Sequence, residues 1–471
     1  MKRLITFSII LFSTFCAYAQ DVEKTIALDE VTVKAAKVVN KADGMIIYPT
    51  DAQKQASNNG YSILEKLTLA NIRIDNISHT ITAIDNRGSV QLRVNGIVVG
   101  KQEMLALNPK DIAKINFINN PGVRYGESIA YVIDIVTRRS ESGYTIGTDV
   151  TSALTTLQGD GSVYGKWNRG KSEWSLSYDV SGYKNKGEKS KQLSQYTLTD
   201  GSIYTIERND VESLSKAIAH DTKLTYNWSD STATVFQTSL SGAFNNTPDN
   251  YNIKDITDGS RQYQATSREH NKSLSPVLDI YFFRQLTPRQ SITANAVGTY
   301  ISTQTGSYYD EGVPYQYDVD GKTASLLAEA IYENRLNPFT LSTGINYSYK
   351  NIKNNYLGDA SSLTNTSNNR LYAFGEIKGT LQQLRYTLGV GASYIHYTQN
   401  GHKYNFWTFH PKASVTYQIN NELQLSYTVQ MRDKVSRIAM TSDAMIRTNS
   451  MEWTLGNPDL KPSHDMDHRL H

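Results

Sequence analysis

The sequence predicts an all-β transmembrane barrel of antiparallel strands, preceded by a small α+β domain. Three observations carry this. From Tyr144 onward, apolar and polar residues alternate with a period of two, the pattern of strands with one apolar face. The chain holds 31 Tyr against 12 Phe, and a membrane barrel has a polar lumen and aromatic girdles at both interfaces. Beyond residue 19 there is no run of about 18 apolar residues, so any crossing must be made by a closed barrel.

At 471 residues the chain exceeds a single typical domain. The net charge of +3 is small and no basic cluster is present, so nucleic acid is not indicated.

Residues 1–19 read as a secretory signal peptide. Lys2 and Arg3 give the positive start, Leu4 to Phe15 the apolar core, and Ala17-Tyr18-Ala19 the cleavage site before Gln20. The only cysteine, Cys16, lies in this leader, so the mature chain has no disulfide. Lipidation of Cys16 is disfavoured, because Ser13-Thr14-Phe15 lacks the small residue that such processing prefers.

Residues 35–140 form the small domain. Ser62 to Leu67 is a short helix pattern with Ser62 as its cap. Asn71 to Asp75 alternates as a strand. Val90 to Val94 and Ile97 to Val99 flank Asn95-Gly96, which supplies the positive-φ pair of a type I′ hairpin turn. Asn108-Pro109-Lys110-Asp111 opens a turn or short helix before a strand from Ile112 to Ile118.

The stretch on which the chain turns from one architecture to the other is Pro121 to Arg139. Pro121-Gly122 is a turn dipeptide, and Gly126 permits a second bend. Tyr131 to Val136 is an apolar run broken by Asp134. It suits a strand buried on both faces, although period alone does not separate it from a buried helix.

This stretch resembles the end of the plug domain of the TonB-dependent outer-membrane receptor family. The matching residues are Pro121, Gly122, Arg124, Tyr125, Gly126, Val132, Ile133, Ile135, Val136, Thr137 and Arg138. Tyr131 departs, standing where the family usually has Gly, and Asp134 where it usually has Asn. The order of helix, strand, hairpin, helical turn and strand also resembles the receptor plug. The resemblance implies a plug inside an outer-membrane barrel in a Gram-negative bacterium, with no cofactor and no covalent chemistry. Arg87, Arg93 and Arg124 are expected to bridge the plug to the barrel wall.

Residues 20–34 carry a segment similar to the family's TonB box, made of Leu28, Asp29, Glu30, Val31, Thr32 and Val33. The resemblance implies that TonB, with its inner-membrane energy-coupling partners, pulls there. An apolar β-branched segment is suited to adding a strand to a partner's sheet edge. A first strand of the plug is the other reading.

Residues 141–471 read as a partial barrel of about 14 strands, each of the ~10-residue kind. Trp174, Leu176, Tyr178 and Val180 alternate with Glu173, Ser175, Ser177 and Asp179. Leu423, Leu425, Tyr427, Val429 and Met431 alternate with Gln424, Ser426, Thr428 and Gln430. Similar alternation spans Leu341 to Tyr349 and Tyr386 to Tyr394. Tight turns are expected at 167–171, 227–231, 286–289, 335–338 and 419–422, all on the periplasmic side. Long polar extracellular loops are expected near 186–212, 244–265, 305–321, 353–368 and 432–461. Their Tyr, Asn, Asp and Ser content suits either a polar ligand or plain solvation.

His402 and His410 flank an aromatic stretch, and His464, Asp467, His468 and His471 sit close together. On a strand, His464 and His468 share a face that Asp467 and His471 do not, so no tetrahedral metal site is expected. Leu455 to Pro462 again resembles the receptor family, where further strands follow it. The chain stops inside an apparent strand without the family's usual terminal aromatic residue, so a C-terminally truncated member is expected. The implied function is binding and import of an unidentified extracellular ligand by a protein seated in outer-membrane lipid. The alternative is a non-transporting barrel for adhesion or surface assembly. A barrel hydrolase would need a wall-mounted Ser-His-Asn/Asp set, and none stands out.

Overall fold

The computed structural model describes residues 37–76, 78–85, 88–125, 128–138, 142–230, 233–420, 423–434, 445–457 and 463–470. The expected signal peptide, the segment Leu28 to Val33, Arg87, Gly126 and His471 lie outside these residues. Ala36–His471 forms one compact unit that holds both the plug and the barrel.

The plug begins with a hairpin of β1 (Lys37–Asn40) and β2 (Gly44–Tyr48). Helices α1 (Asp51–Gln55) and α2 (Gly60–Glu65) follow. The cap of α2 is Asn59, a correction to the expected Ser62. Asn59 Oδ1 accepts from the Ser62 amide at 2.9 Å, and Ser62 Oγ accepts from the Asn59 amide at 3.1 Å. An Asn side chain is among the best acceptors for the orphan amides of a first turn, so the helix starts earlier.

Strands β3 (Ile72–Asp75) and β4 (Thr80–Ala83) form a two-stranded sheet of their own among the described residues. The predicted hairpin is present as β5 (Ser89–Val94) and β6 (Ile97–Val98), with φ of 54° at Asn95 and 83° at Gly96. After α3 (Lys101–Leu105), a 3-10 turn at Pro109–Asp111 leads into β7 (Ile112–Ile118), and β8 (Ile129–Thr137) ends the domain. The six-stranded sheet has the order β1-β2-β7-β8-β5-β6, with β5 and β8 parallel. Strand β8 is interior and covered on both faces, as its apolar run requires. Ile133 and Ile135 pack with Ile63, Leu64, Ile115 and Phe117 in the plug's own core. Each such side chain contributes roughly 1.5–3 kcal/mol on burial.

The barrel opens with β9 (Ser142–Ser152), β10 (Leu157–Arg169), β11 (Ser172–Lys186) and β12 (Lys191–Thr197). Long strands follow: β13 (Ile203–Ser229), β14 (Thr234–Asp258), β15 (Arg261–Thr287) and β16 (Gln290–Asp310). Next come β17 (Pro314–Arg335), β18 (Phe339–Gly358) and β19 (Ser362–Leu381). Then come β20 (Leu384–Gln399), β21 (His402–Gln418) and β22 (Gln424–Lys434). A small hairpin, β23 (Ile446–Arg447) with β24 (Trp453–Thr454), precedes β25 (Ser463–Leu470). Among the described residues, fourteen strands run in one path from β9 to β25, omitting β23 and β24, while β12 pairs only with β13. The sheet is not closed: β9 and β25 are its two edges.

The apolar faces point outward as predicted. Trp174, Leu176, Tyr178, Leu425 and Tyr427 are exposed, while Ser177 is buried. The strand lengths and the long outer loops are corrected. Strands β13 to β19 run 20 to 27 residues, and the stretches 244–265, 305–321 and 353–368 are paired strands joined by short turns. Tight turns therefore occur at both ends, as at Gly259 and Gly312, and not on one side only. The physical reason is that Tyr, Thr and Ile recur through these polar stretches, so pairing continues beyond the membrane with both faces wet. A small apolar cluster of Ile206, Ile256 and Ala265, flanked by Tyr196, Tyr204 and Tyr263, holds the outer ends of β12 to β15 together.

Candidate functional site

The site is the seat of the plug against the inner wall. Its centre is the turn after Pro121. Val123–Tyr125 makes one 3-10 turn, closed by the Tyr125 amide on the Gly122 carbonyl at 3.2 Å. The turn pushes Val123 into an apolar contact with Tyr372 and Phe374 of β19. Gly122 lies against the Glu376 carboxylate, where any Cβ would collide with it. A Cβ here would force the Glu376 carboxylate to move, so the glycine allows this close approach.

Arg124 Nη1 donates to Glu333 Oε2 of β17 at 2.6 Å. Its guanidinium lies 4.7 Å from the Tyr125 ring centroid, and that of Arg93 lies 5.1 Å from the same ring. Both are within cation–π range. Burial works against the Arg124 charge, but Tyr125, Glu333 and Glu376 outweigh it and raise its pKa above the ordinary value. Arg124 bridges plug to wall as predicted. Arg93 makes no hydrogen bond to the wall among the described residues: it donates to Gln91 Oε1 at 2.7 Å and to the Gly96 carbonyl at 3.0 Å, both within the plug, and its charge reaches Glu329 and Tyr281 of the wall across the cavity. The β5–β6 turn offers those acceptors at close range, which is why Arg93 stays local.

Further polar contacts ring the plug. Lys378 of β19 donates to Asp43 at 2.8 Å. Lys101 meets Asp160 at 3.2 Å, and Gln102 donates to Asp179 at 2.7 Å. Lys223 of β13 pairs with Glu103. Burial pushes the Asp43 carboxyl up, yet Lys378 holds it below its ordinary value. No strand pairing joins the plug sheet to the barrel sheet among the described residues. The plug is thus a separately cored body held to the wall mostly by side-chain hydrogen bonds and ion pairs. Between plug and wall lies a cavity of about 1060 Å³, lined by charges of both signs that include Arg93, Arg124, Asp279 and Glu329.

The two departures in β8 have structural roles. The Tyr131 ring stacks on Phe117 at 5.8 Å, and its hydroxyl donates to Asp85 Oδ2 at 2.6 Å. Asp134 Oδ1 accepts from the Gly96 amide at 2.8 Å, and its Oδ2 accepts from Asn116 Nδ2 at 3.1 Å. Asp134 therefore ties the Asn95-Gly96 turn and β7 to β8.

At the outer end, the β23–β24 hairpin docks on distant strands. The Ser450 amide donates to Glu311 Oε2 at 2.7 Å, and Arg208 reaches Glu311 Oε1 at 3.1 Å in a buried pair. Tyr196 donates to Glu452 at 2.7 Å, and Arg447 to the Val313 carbonyl at 2.8 Å. Tyr315 donates to the Met445 carbonyl at 3.0 Å. The stretch 307–311 is thus partly spent on internal contacts.

His410 and His468 are engaged in the wall. His410 is buried, with Nε2 2.8 Å from Thr408 Oγ1. His468 Nδ1 lies 2.7 Å from the Tyr427 hydroxyl, and Asp467 pairs with Arg432. No group of three or more metal-ligating side chains occurs among the described residues.

The residues that the sequence reading missed are Asp43, Glu311, Glu333, Glu376 and Lys378. The signal for three of them was present. Glu333, Glu376 and Lys378 put charge at inward positions of strands whose outward positions are apolar, as with Ile377 between the last two.

A separately cored plug seated against an antiparallel wall, with apolar residues facing outward, has the architecture of a plugged membrane barrel whose wall is open between β9 and β25 among the described residues. The family model described as "TonB dependent receptor-like, beta-barrel" matches residues 147–464, and the chain belongs to this family. Its members are outer-membrane receptors and transporters of Gram-negative bacteria rather than enzymes. Among solved structures, the copper transporter OprC superposes with a TM-score of 0.53 at 12% identity, covering 92% of this chain and 69% of OprC. The ferric-catecholate import receptor Fiu from K12 E. coli gives 0.48 at 10% identity, over 93% of this chain and 71% of Fiu. The RagAB peptide importer gives 0.45 at 8% identity, over 92% and 65%. At these identities the likeness is one of fold. No curated protein matches the chain.

Proposed function

We propose that this chain acts as a TonB-coupled receptor that binds an extracellular ligand and imports it through the barrel. The observation that carries this reading is the polar seat of the plug. Breaking Arg124–Glu333 and Lys378–Asp43 exposes charged groups to water, not the plug's apolar core. Such contacts re-form readily, so the plug can shift and return without unfolding. The free energy for the shift would come from TonB, pulling on Leu28 to Val33. The ligand would approach from the outer hairpins, and the cavity beside Arg93 and Glu329 would lie on its path.

The test is deletion of Leu28 to Val33, read by site-specific crosslinking to TonB and by ligand uptake. Loss of both, with normal outer-membrane assembly, is the expected result. Uptake and crosslinking left intact would overturn the reading and favour a barrel for adhesion or assembly.

A further inference from the structure

Two rows of side chains on the inner face of β15 to β18 line the cavity between wall and plug. In one, Tyr281, Asn295, Glu329 and Asn346 are successive register partners. In the other, Asp279 pairs with Val297, Val297 with Leu327, and Leu327 with Ser348. Asp279, Asn295 and Glu329 thus bring two carboxylates and an amide carbonyl onto three adjacent strands.

The protein itself serves these acceptors poorly. Asp279 Oδ1 and Asn295 Oδ1 are buried and accept no hydrogen bond from the described residues. Glu329 accepts one from Asn346 Nδ2, at 3.3 Å. The cations whose charge reaches the two carboxylates are bonded elsewhere. Lys223, which acts on Asp279, pairs with Glu103. Arg124, which acts on Glu329, pairs with Glu333, and Arg93 gives donors to Gln91 and Gly96.

The remaining arginines of the cavity are engaged as well. Arg335 reaches Glu333 at the turn end of β17, Arg370 donates to Ser393 at 2.9 Å, and Arg432 pairs with Asp467. Buried acceptors are normally met by donors. Three on one wall, beside a cavity of about 1060 Å³, call for a donor that the chain does not supply. The set lacks the three metal-ligating side chains of a metal site among the described residues. An ammonium or guanidinium fits it better, because several N–H donors radiate from one charge. Tyr281 and Phe283 line the same wall, and aromatic faces attract such cations.

We propose that this patch of Asp279, Asn295 and Glu329 holds the ammonium or guanidinium group of a ligand passing between plug and wall. Arg93, facing the patch from the plug, is the counter-charge that the ligand's cation replaces. The passage rests on the import reading, whereas the binding is a property of the resting protein.

The test uses the purified full chain with Cys16→Ser and Ser348→Cys. Ser348 lies diagonal to Glu329 across β17 and β18. The introduced thiol is modified by trimethylammonium-ethyl or by sulfonatoethyl methanethiosulfonate. The rate ratio, cationic over anionic, should exceed that for free 2-mercaptoethanol about tenfold. Asp279→Asn with Glu329→Gln should remove most of the excess, and Arg93→Gln should enlarge it. Neither change should alter the ratio at Thr156→Cys, in an exposed turn. Millimolar butylammonium should protect the thiol from a neutral reagent, and butyrate should not.

A ratio at or below that of the free thiol would overturn the proposal without any acidic variant. So would a ratio unmoved by the double variant, or no modification by either reagent, which would show a cavity closed to solutes. Protection by Mg²⁺ but not by butylammonium would mark an inorganic-cation site and overturn it too. None of these outcomes touches TonB coupling, which the deletion of Leu28 to Val33 tests separately.

Discussion

Lys378, on the wall strand β19, donates to Asp43, in the turn between β1 and β2, at 2.8 Å across 335 residues of sequence. Both side chains are mostly buried. Replacing Lys378 by Ala would leave the Asp43 carboxylate buried without its main partner, at a cost of up to about 3 kcal/mol. Amide exchange in β1 and β2 should accelerate at neutral pH, while β7 and β8 stay protected. Uniform acceleration across the plug would show that this pair is not a local fastening.

The Arg124–Glu333 pair should couple more strongly than an exposed one. Arg124→Gln and Glu333→Gln, alone and together, form a double-mutant cycle. We expect a coupling of about 1.5–3 kcal/mol in thermal or denaturant unfolding. A coupling near zero would assign the fastening of the turn to Val123 instead.

Tyr131 makes two separable contributions. Tyr131→Phe removes the hydroxyl with its bond to Asp85 and should cost about 1.5–3 kcal/mol. Tyr131→Ala also empties the stack on Phe117 and should cost about 3–5 kcal/mol. The two variants are compared by exchange at the amides of β8, and equal losses would contradict the stacking role.

The docking of the β23–β24 hairpin should depend on acid. Burial pushes the Glu311 carboxyl up, but the Tyr309 hydroxyl, the Ser450 amide and Arg208 outweigh it and hold it below its ordinary value. A carboxylate depressed in the folded state stabilises above its unfolded pKa and loses that contribution as pH falls through the folded one. The hairpin should therefore stay docked at neutral pH and loosen only below about pH 4. Protease cleavage within 445–457, followed against pH, measures this. Glu311→Gln should open the site at neutral pH, raising cleavage about tenfold or more.

Much of the plug was legible because its signals are local. Asn95-Gly96 could only make one kind of turn, and Tyr131 to Val136 could only be satisfied by burial. The outward faces of β11 and β22 were legible for the same reason. The outer strands were misread as loops because a strand wet on both faces loses its apolar alternation, though its Tyr and Thr content remains. The seat was not legible at all as a set of pairs. Arg124 and Glu333 are 209 residues apart, and no periodicity links them. The local bonds of Arg93 were not legible, because composition does not show that Gln91 and Gly96 take two of its donors and leave only its charge to act on the wall.

The position of β1 has a mechanical consequence. It is an edge strand with four paired residues, and Lys37 sits at the open end of the β1–β2 hairpin, opposite Tyr48. A pull on Lys37 directed away from β2 would load this ladder one rung at a time, as in peeling tape, rather than shearing all rungs together. Peeling runs from Lys37 toward Asn40 and arrives at the turn that contains Asp43. Under such a pull the Lys378 contact would act as a stop at the end of this short ladder. Extension along β1 would be soft, and resistance would rise sharply where the wall takes up the load.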